Sequence, residues 1–157
     1  MPRKLFRLLS GGVLLCTLML MGCTKGYTYH HFEHTEVEGW EKHNALHYAV
    51  PPVTNTADYG LCIDLRTTSD YPYTSITLVV EQQVFPAGRK LRNMVECKLI
   101  DDNGRRQGTG IGQYQYRFPI RTQHLNKGDS IDISIKHNMT QYILPGISDV
   151  GVRLQQQ

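Results

Sequence analysis

Apolar residues recur at every second position through most of this chain, and that regularity restricts the fold to sheets. Leu46, Tyr48 and Val50 alternate with polar neighbours, as do Leu61, Ile63 and Leu65, then Ile76, Leu78 and Val80. Val95, Cys97 and Leu99 continue the pattern, followed by Ile131, Ile133 and Ile135, then Val150, Val152 and Leu154. A period of two turns one face of a strand to a core and the other to solvent, whereas a helix repeats every 3.6 residues.

Turn residues punctuate these runs. Pro51-Pro52 ends one strand and Pro86-Ala87-Gly88 another, because proline cannot donate to a ladder. Asp101-Asp102-Asn103-Gly104 lies between two strand-like runs, and Asn-Gly there predicts a hairpin, since both residues accept positive φ. The next strand is expected over 108–118, with Gly108, Gly110 and Gly112 marking a bulge or a close backbone approach ahead of Tyr114, Tyr116 and Phe118. Asn126 to Asp129 is another turn, and 138–147 breaks the alternation as a loop or short helix. Seven or eight strands at regular spacing predict an all-β, antiparallel β-sandwich, with a jelly-roll connectivity open to it and a closed barrel as the alternative.

The N-terminus follows a different rule. Arg3, Lys4 and Arg7 precede an apolar stretch from Leu8 to Met21 that is too short for a permanent membrane span and has the flanks of a secretory signal. It ends in Leu20-Met21-Gly22-Cys23, which resembles the bacterial lipoprotein cleavage box. In that pattern the Cys23 thiol is acylated and becomes the mature N-terminus, with each buried acyl methylene contributing about 0.8 kcal/mol to membrane attachment. Three segments are therefore expected: a signal peptide over 1–22, a lipidated N-terminus and tether over 23–36, and a sandwich domain over 37–157.

Cleavage also changes the charge. Loss of 22 residues leaves 135, enough for one domain with a core, and removes three of the 17 basic residues. The remaining 14 face 14 acidic residues, so the mature body is near neutral and offers no basic stripe for nucleic acid. Cys62 and Cys97 stay behind in an oxidising compartment. Cys62 alternates out of phase with its aliphatic neighbours and Cys97 in phase, so they face different sides, and two free thiols are favoured over a disulfide.

Candidate chemistry is sparse. His30, His31 and His34 cluster in the expected tether, and His43 and His47 are four apart in an expected strand, so solvated histidines are favoured over metal ligands. There is no Gly-x-Ser-x-Gly elbow, the Asp101-Asp102 pair reads as turn chemistry, and 108–112 lacks the Lys-Ser/Thr of a phosphate loop. Asp64 with Arg66, and Asp149 with Arg153, read as surface or sheet-edge charges. Trp40, Tyr48, Tyr71, Tyr73, Tyr114, Tyr116 and Tyr142 form either a stacking face for a sugar or peptide or, by preference, part of the core.

Several stretches together resemble the gliding-motility lipoproteins of the GldH type: Gly39-Trp40, Leu65-Arg66, Ser69 to Tyr73 (SDYPY), Leu99 to Gly104, the glycines 108, 110 and 112, His137-Asn138-Met139, and Leu144 to Arg153 (LPGISDVGVR). The resemblance implies a cell-envelope lipoprotein associated with gliding motility, with no catalytic residues, metal or cofactor to transfer. Together with the missing acidic run after Cys23, it favours the periplasmic face of the outer membrane. The expected partners are the membrane, through lipid on Cys23, and other envelope proteins. The rival expectation is a ligand-binding module for a glycan or peptide, and an envelope hydrolase is the least supported.

Overall fold

The computed structural model describes residues 28–157, so the signal peptide and the acylation site at Cys23 lie outside the described residues. Ten strands follow one another: β1 (Tyr29–His34), β2 (Trp40–Glu41), β3 (Leu46–Val50), β4 (Ala57–Thr68), β5 (Ser75–Phe85), β6 (Arg89–Lys98), β7 (Gln113–Leu125), β8 (Ser130–His137), β9 (Ile143–Leu144) and β10 (Ile147–Gln156). One sheet has the order β1-β10-β4-β7 and the other β3-β8-β5-β6, all antiparallel, while β2 and β9 pair as a two-stranded flap. Numbered without the flap, the eight long strands run 1-8-3-6 and 2-7-4-5, which is jelly-roll connectivity.

Alternation explains the sandwich. Leu61, Ile63 and Leu65 of β4 and Val150, Val152 and Leu154 of β10 meet Ile76, Leu78 and Val80 of β5 and Ile131, Ile133 and Ile135 of β8 in one buried cluster. The Tyr48 hydroxyl crosses between the sheets to donate to the Val150 carbonyl at 2.7 Å. Burial of a Val, Leu or Ile side chain contributes about 1.5–3 kcal/mol, so this cluster is the main source of stability.

The structure departs from expectation in three places. The supposed tether is mostly β1, an edge strand paired residue for residue with β10 from Tyr29↔Leu154 to His34↔Asp149, so the domain begins at Tyr29 rather than at 37. Its backbone ladder holds it there, and its inner face carries Tyr29 and His31 instead of an aliphatic run, which is why no apolar alternation announced it. The Asn103-Gly104 turn forms, with Gly104 N donating to Asp101 O and Asp101 Oδ1 accepting from two backbone amides. It does not make a hairpin of two long strands. Only the isolated Ile100↔Arg106 bridge pairs across it, and the chain then crosses from β6 in one sheet to β7 in the other. The strand expected from Gly108 accordingly starts at Gln113, and Gly108 instead lies under the Tyr116 ring, where a Cβ would come within 2.6 Å of it.

Candidate functional site: a charged plate on the outer face of a sheet

Because Leu61, Ile63 and Leu65 point inward, Cys62, Asp64 and Arg66 must point out, and the same holds for Asp149, Gly151 and Arg153 on β10. Register adds His30, Phe32 and His34 from β1 opposite Arg153, Gly151 and Asp149. From β7 it adds Gln115, Arg117 and Pro119 opposite Arg66, Asp64 and Cys62. The result is a four-strand plate of charge on the solvent side of the sheet.

Asp64 lies at its centre and is 0% exposed. Arg153 donates to its Oδ2 from Nε at 2.9 Å and also from Nη2. Arg117 Nε donates to Oδ1 at 3.0 Å, and His30 Nε2 lies 2.9 Å from Oδ2. Burial alone would raise the Asp64 carboxyl, but hydrogen bonds and charge from Arg153 and Arg117 outweigh it and hold the group below the ordinary aspartate value. His30 shifts down, first through burial and then through the nearby Arg153 charge, with Asp64 opposing.

A second cluster lies one turn of the pleat away. Asp149 pairs with His34 and faces Arg66 Nη1 at 3.9 Å, while Arg66 Nε donates to Gln115 at 3.3 Å. The Arg66 guanidinium sits 3.9 Å above the Phe32 ring, a cation–π contact, and the His30 ring meets the Phe32 ring edge-to-face with centroids 5.0 Å apart. The ring lies flat only because Gly151 is beneath it, since a Cβ there would approach Phe32 Cε1 to 2.7 Å.

The ion pairs are therefore crossed relative to expectation. Asp149 joins Arg66, which it faces directly, and Arg153, which faces Cys62, reaches diagonally across the strand pair to Asp64. Asp64, Asp149 and Arg153 are buried, not edge charges.

The segments SDYPY and PGISDVGVR meet at one end of this plate. Thr68 N donates to Gly146 O at 2.8 Å, and Gly146, at φ +77°, would place a Cβ 2.4 Å from Tyr71 N. The Tyr71 hydroxyl donates to Ser75 O at 2.8 Å, and Ser148 Oγ to Arg66 O. Under the β2–β9 flap, His137 Nε2 donates to the Trp40 carbonyl at 3.0 Å while Nδ1 faces the Met139 amide, which fixes a neutral tautomer. Burial lowers the pKa of His137. The fragments Gly39-Trp40 and His137-Asn138-Met139 thus belong to one packed unit, a link invisible in linear sequence.

The remaining expectations divide. Cys62 faces out and Cys97 in, both free, and burial pushes each thiol up, Cys97 to about 12. Trp40, Tyr48, Tyr71 and Tyr116 are core, Tyr73 and Tyr114 are half-buried, and Tyr142 is exposed against His43. His47 borders a depression of about 480 Å³ on the outer face of the other sheet, which Glu81, Gln83, Arg92 and Asp132 also line. His30 and His34 lie on a strand rather than in a tether, beside Asp64 and Asp149, and both keep the solvent exposure expected of them. Among the described residues no group of three His, Cys, Asp or Glu side chains is placed to hold a metal ion, and no helix is long and apolar enough to cross a membrane.

Fold and plate together define a jelly-roll sandwich whose distinctive residues lie on an outer face rather than in a cleft. The GldH lipoprotein family model matches residues 27–154, and the chain belongs to that family. A gliding motility lipoprotein GldH homolog from Christiangramia forsetii is 25% identical, over 91% of this chain and 93% of the relative. The gliding motility lipoprotein GldH of Flavobacterium johnsoniae is 23% identical, over 94% and 96%. A solved structure from Sulfurospirillum deleyianum aligns at 11% identity over 82% of this chain and 98% of its own, with a TM-score of 0.45. Membership of a lipoprotein family implies a membrane-anchored place in the cell envelope.

Proposed function

We propose that this protein is a non-catalytic envelope lipoprotein, held by lipid on Cys23 at the periplasmic face of the outer membrane, that docks another envelope protein of a motility assembly through its charged plate. The observation that carries the reading is Asp64, a carboxylate sealed on the solvent side of a sheet by Arg153 and Arg117. An outer sheet face needs no buried charge to fold. An ion cluster of this kind contributes little net stability, but it holds the exposed ends of Arg117, Arg66 and His34 in fixed positions. Rigid arginines around an aromatic ring are also what protein interfaces favour.

Support for a non-catalytic role comes from how the reactive groups are committed. Both thiols are shifted away from thiolate, His137 is locked to a backbone carbonyl, and Asp64 is saturated by guanidinium groups. The test is affinity capture from detergent-solubilised envelopes with the native protein and with Arg66→Glu/Arg117→Glu. The reading expects a reproducible envelope partner with the first and its loss with the second. Equal recovery by both, or no partner at all, overturns it, as does hydrolytic turnover abolished by one polar substitution.

The polar depression beside His47 favours a second reading, a glycan or peptide module on the opposite sheet. In that case Glu81→Ala/Arg92→Ala abolishes binding to envelope glycans or peptides, while the plate variants leave it intact.

A further inference from the structure

The length of chain between the acylation site and the first hydrogen bond of the domain limits how the body can stand on a membrane. Thr28 N donates to Leu154 O at 3.0 Å, so the domain grips the chain from Thr28 onward. Five residue steps separate Thr28 from Cys23, and even fully extended they reach at most about 18 Å. A free tether to residue 37 would reach about 50 Å and leave every orientation open.

Strand register converts that reach into a posture. Leu154 pairs with Leu61, and β4 begins four residues earlier, at Ala57, so the strands continue about 13 Å toward this end of the sandwich before its turns begin. Two turns project there. The β5–β6 turn with the first residue of β6 carries Pro86, Ala87 and Arg89, the β7–β8 turn carries Asn126 to Asp129, and they come together around one depression. In the opposite direction, β4 runs seven residues from Leu61 to Thr68, about 23 Å, which exceeds the reach of the linker. An inverted body, with Ser69 to Tyr73 and the Asn103-Gly104 turn on the bilayer, is therefore not connected to its anchor.

The charges at the near end suit an anionic surface. Arg89, Lys90 and Lys127 are exposed there. Of the carboxylates, Asp58 is engaged by His124 at 2.9 Å, and Asp129 accepts from the Asn126 amide. Basic residues held within a Debye length of an anionic leaflet are attracted to it.

We infer that the sandwich stands end-on, with the Pro86–Lys90 and Asn126–Asp129 turns against anionic lipid headgroups and the charged plate raised beside the bilayer for a partner. The inference rests on acylation at Cys23 and deepens the proposed role by giving the docking face its orientation.

The test uses the acylated protein in phosphatidylethanolamine–phosphatidylglycerol vesicles that contain a headgroup spin-labelled quencher. In a Cys62→Ser background, with Cys97 shielded in the core, a fluorophore is attached at Ala87→Cys or at Asn103→Cys. Flotation with the vesicles checks the anchor, and its failure overturns both the anchor and the posture. When the protein floats, the posture expects quenching several-fold stronger at Ala87 than at Asn103. Equal or reversed quenching overturns the posture alone. Exchanging phosphatidylglycerol for phosphatidylcholine is expected to weaken quenching at Ala87 with no change to the protein, and undiminished quenching removes the anionic headgroup as the occupant.

Discussion

Arg153 places both Nε and Nη2 on the same oxygen of Asp64, joining β4 to β10 on the side of the sheet that faces away from the core. The two residues are 89 positions apart. Removing one member strands a buried charge, which typically costs about 3–5 kcal/mol, whereas replacing both by apolar residues of similar volume is often near neutral. Arg153→Met is therefore expected to lower unfolding stability by that amount, and Asp64→Leu/Arg153→Met to recover most of it. Denaturant unfolding of the two variants decides this, and additive losses would mean that the pair is not a coupled unit.

The same carboxylate makes stability depend on acid. Its folded pKa is held below the ordinary aspartate value, so its contribution is fully present above that value and is lost as pH falls through the folded one. Arg117→Gln weakens the restraint and should move the loss to higher pH. Thermal melts across the acid range would show it as an earlier onset in the variant.

Histidine produces a second window at higher pH. The pKa values of His137 and His30 are both lowered from 6.5, so the unfolded chain takes up protons that the folded one resists. Stability should thus decline as pH drops below about 6.5, the ordinary histidine value. His137→Gln, which can still donate to the Trp40 carbonyl, is expected to be less stable at neutral pH but to lose part of this slope. Melts between about pH 7 and 5 check it, because a histidine charges within that range. An unchanged slope would mean that His137 does not resist protonation.

How much could be read from the chain depended on whether the deciding contact was local. Leu61, Ile63 and Leu65, or Ile131, Ile133 and Ile135, carry the sandwich in their own alternation, because one face of each strand meets the core regardless of its neighbour. Tyr29 to His34 carries no such signal. Its pairing is with β10, its outer side chains answer to Asp64, Gly151 and Asp149, and its inner face offers the core Tyr29 and a histidine, His31, instead of an aliphatic run. Asn103-Gly104 shows the same division, since the turn is written in two residues while the sheet that receives the next strand depends on the whole topology. The crossed pairing of Asp64 and Asp149 with their arginines follows from register and could not be seen from spacing along either strand alone.

Glycine substitutions separate local strain from packing. Gly104, at φ +76°, has nothing within 4 Å of a built Cβ, so Gly104→Ala pays only for the backbone conformation, about 1 kcal/mol. Gly146 has nearly the same φ, but its Cβ would meet the Tyr71 backbone, N at 2.4 Å and Cα at 2.6 Å. Since those atoms belong to the chain itself and cannot rotate aside, Gly146→Ala must displace the SDYPY segment from the start of β10. It should cost roughly 2–4 kcal/mol, toward the upper end of single-substitution effects. Comparing the two alanine variants by denaturant unfolding isolates the difference, and equal losses would show that the close approach of the two segments does not constrain the fold.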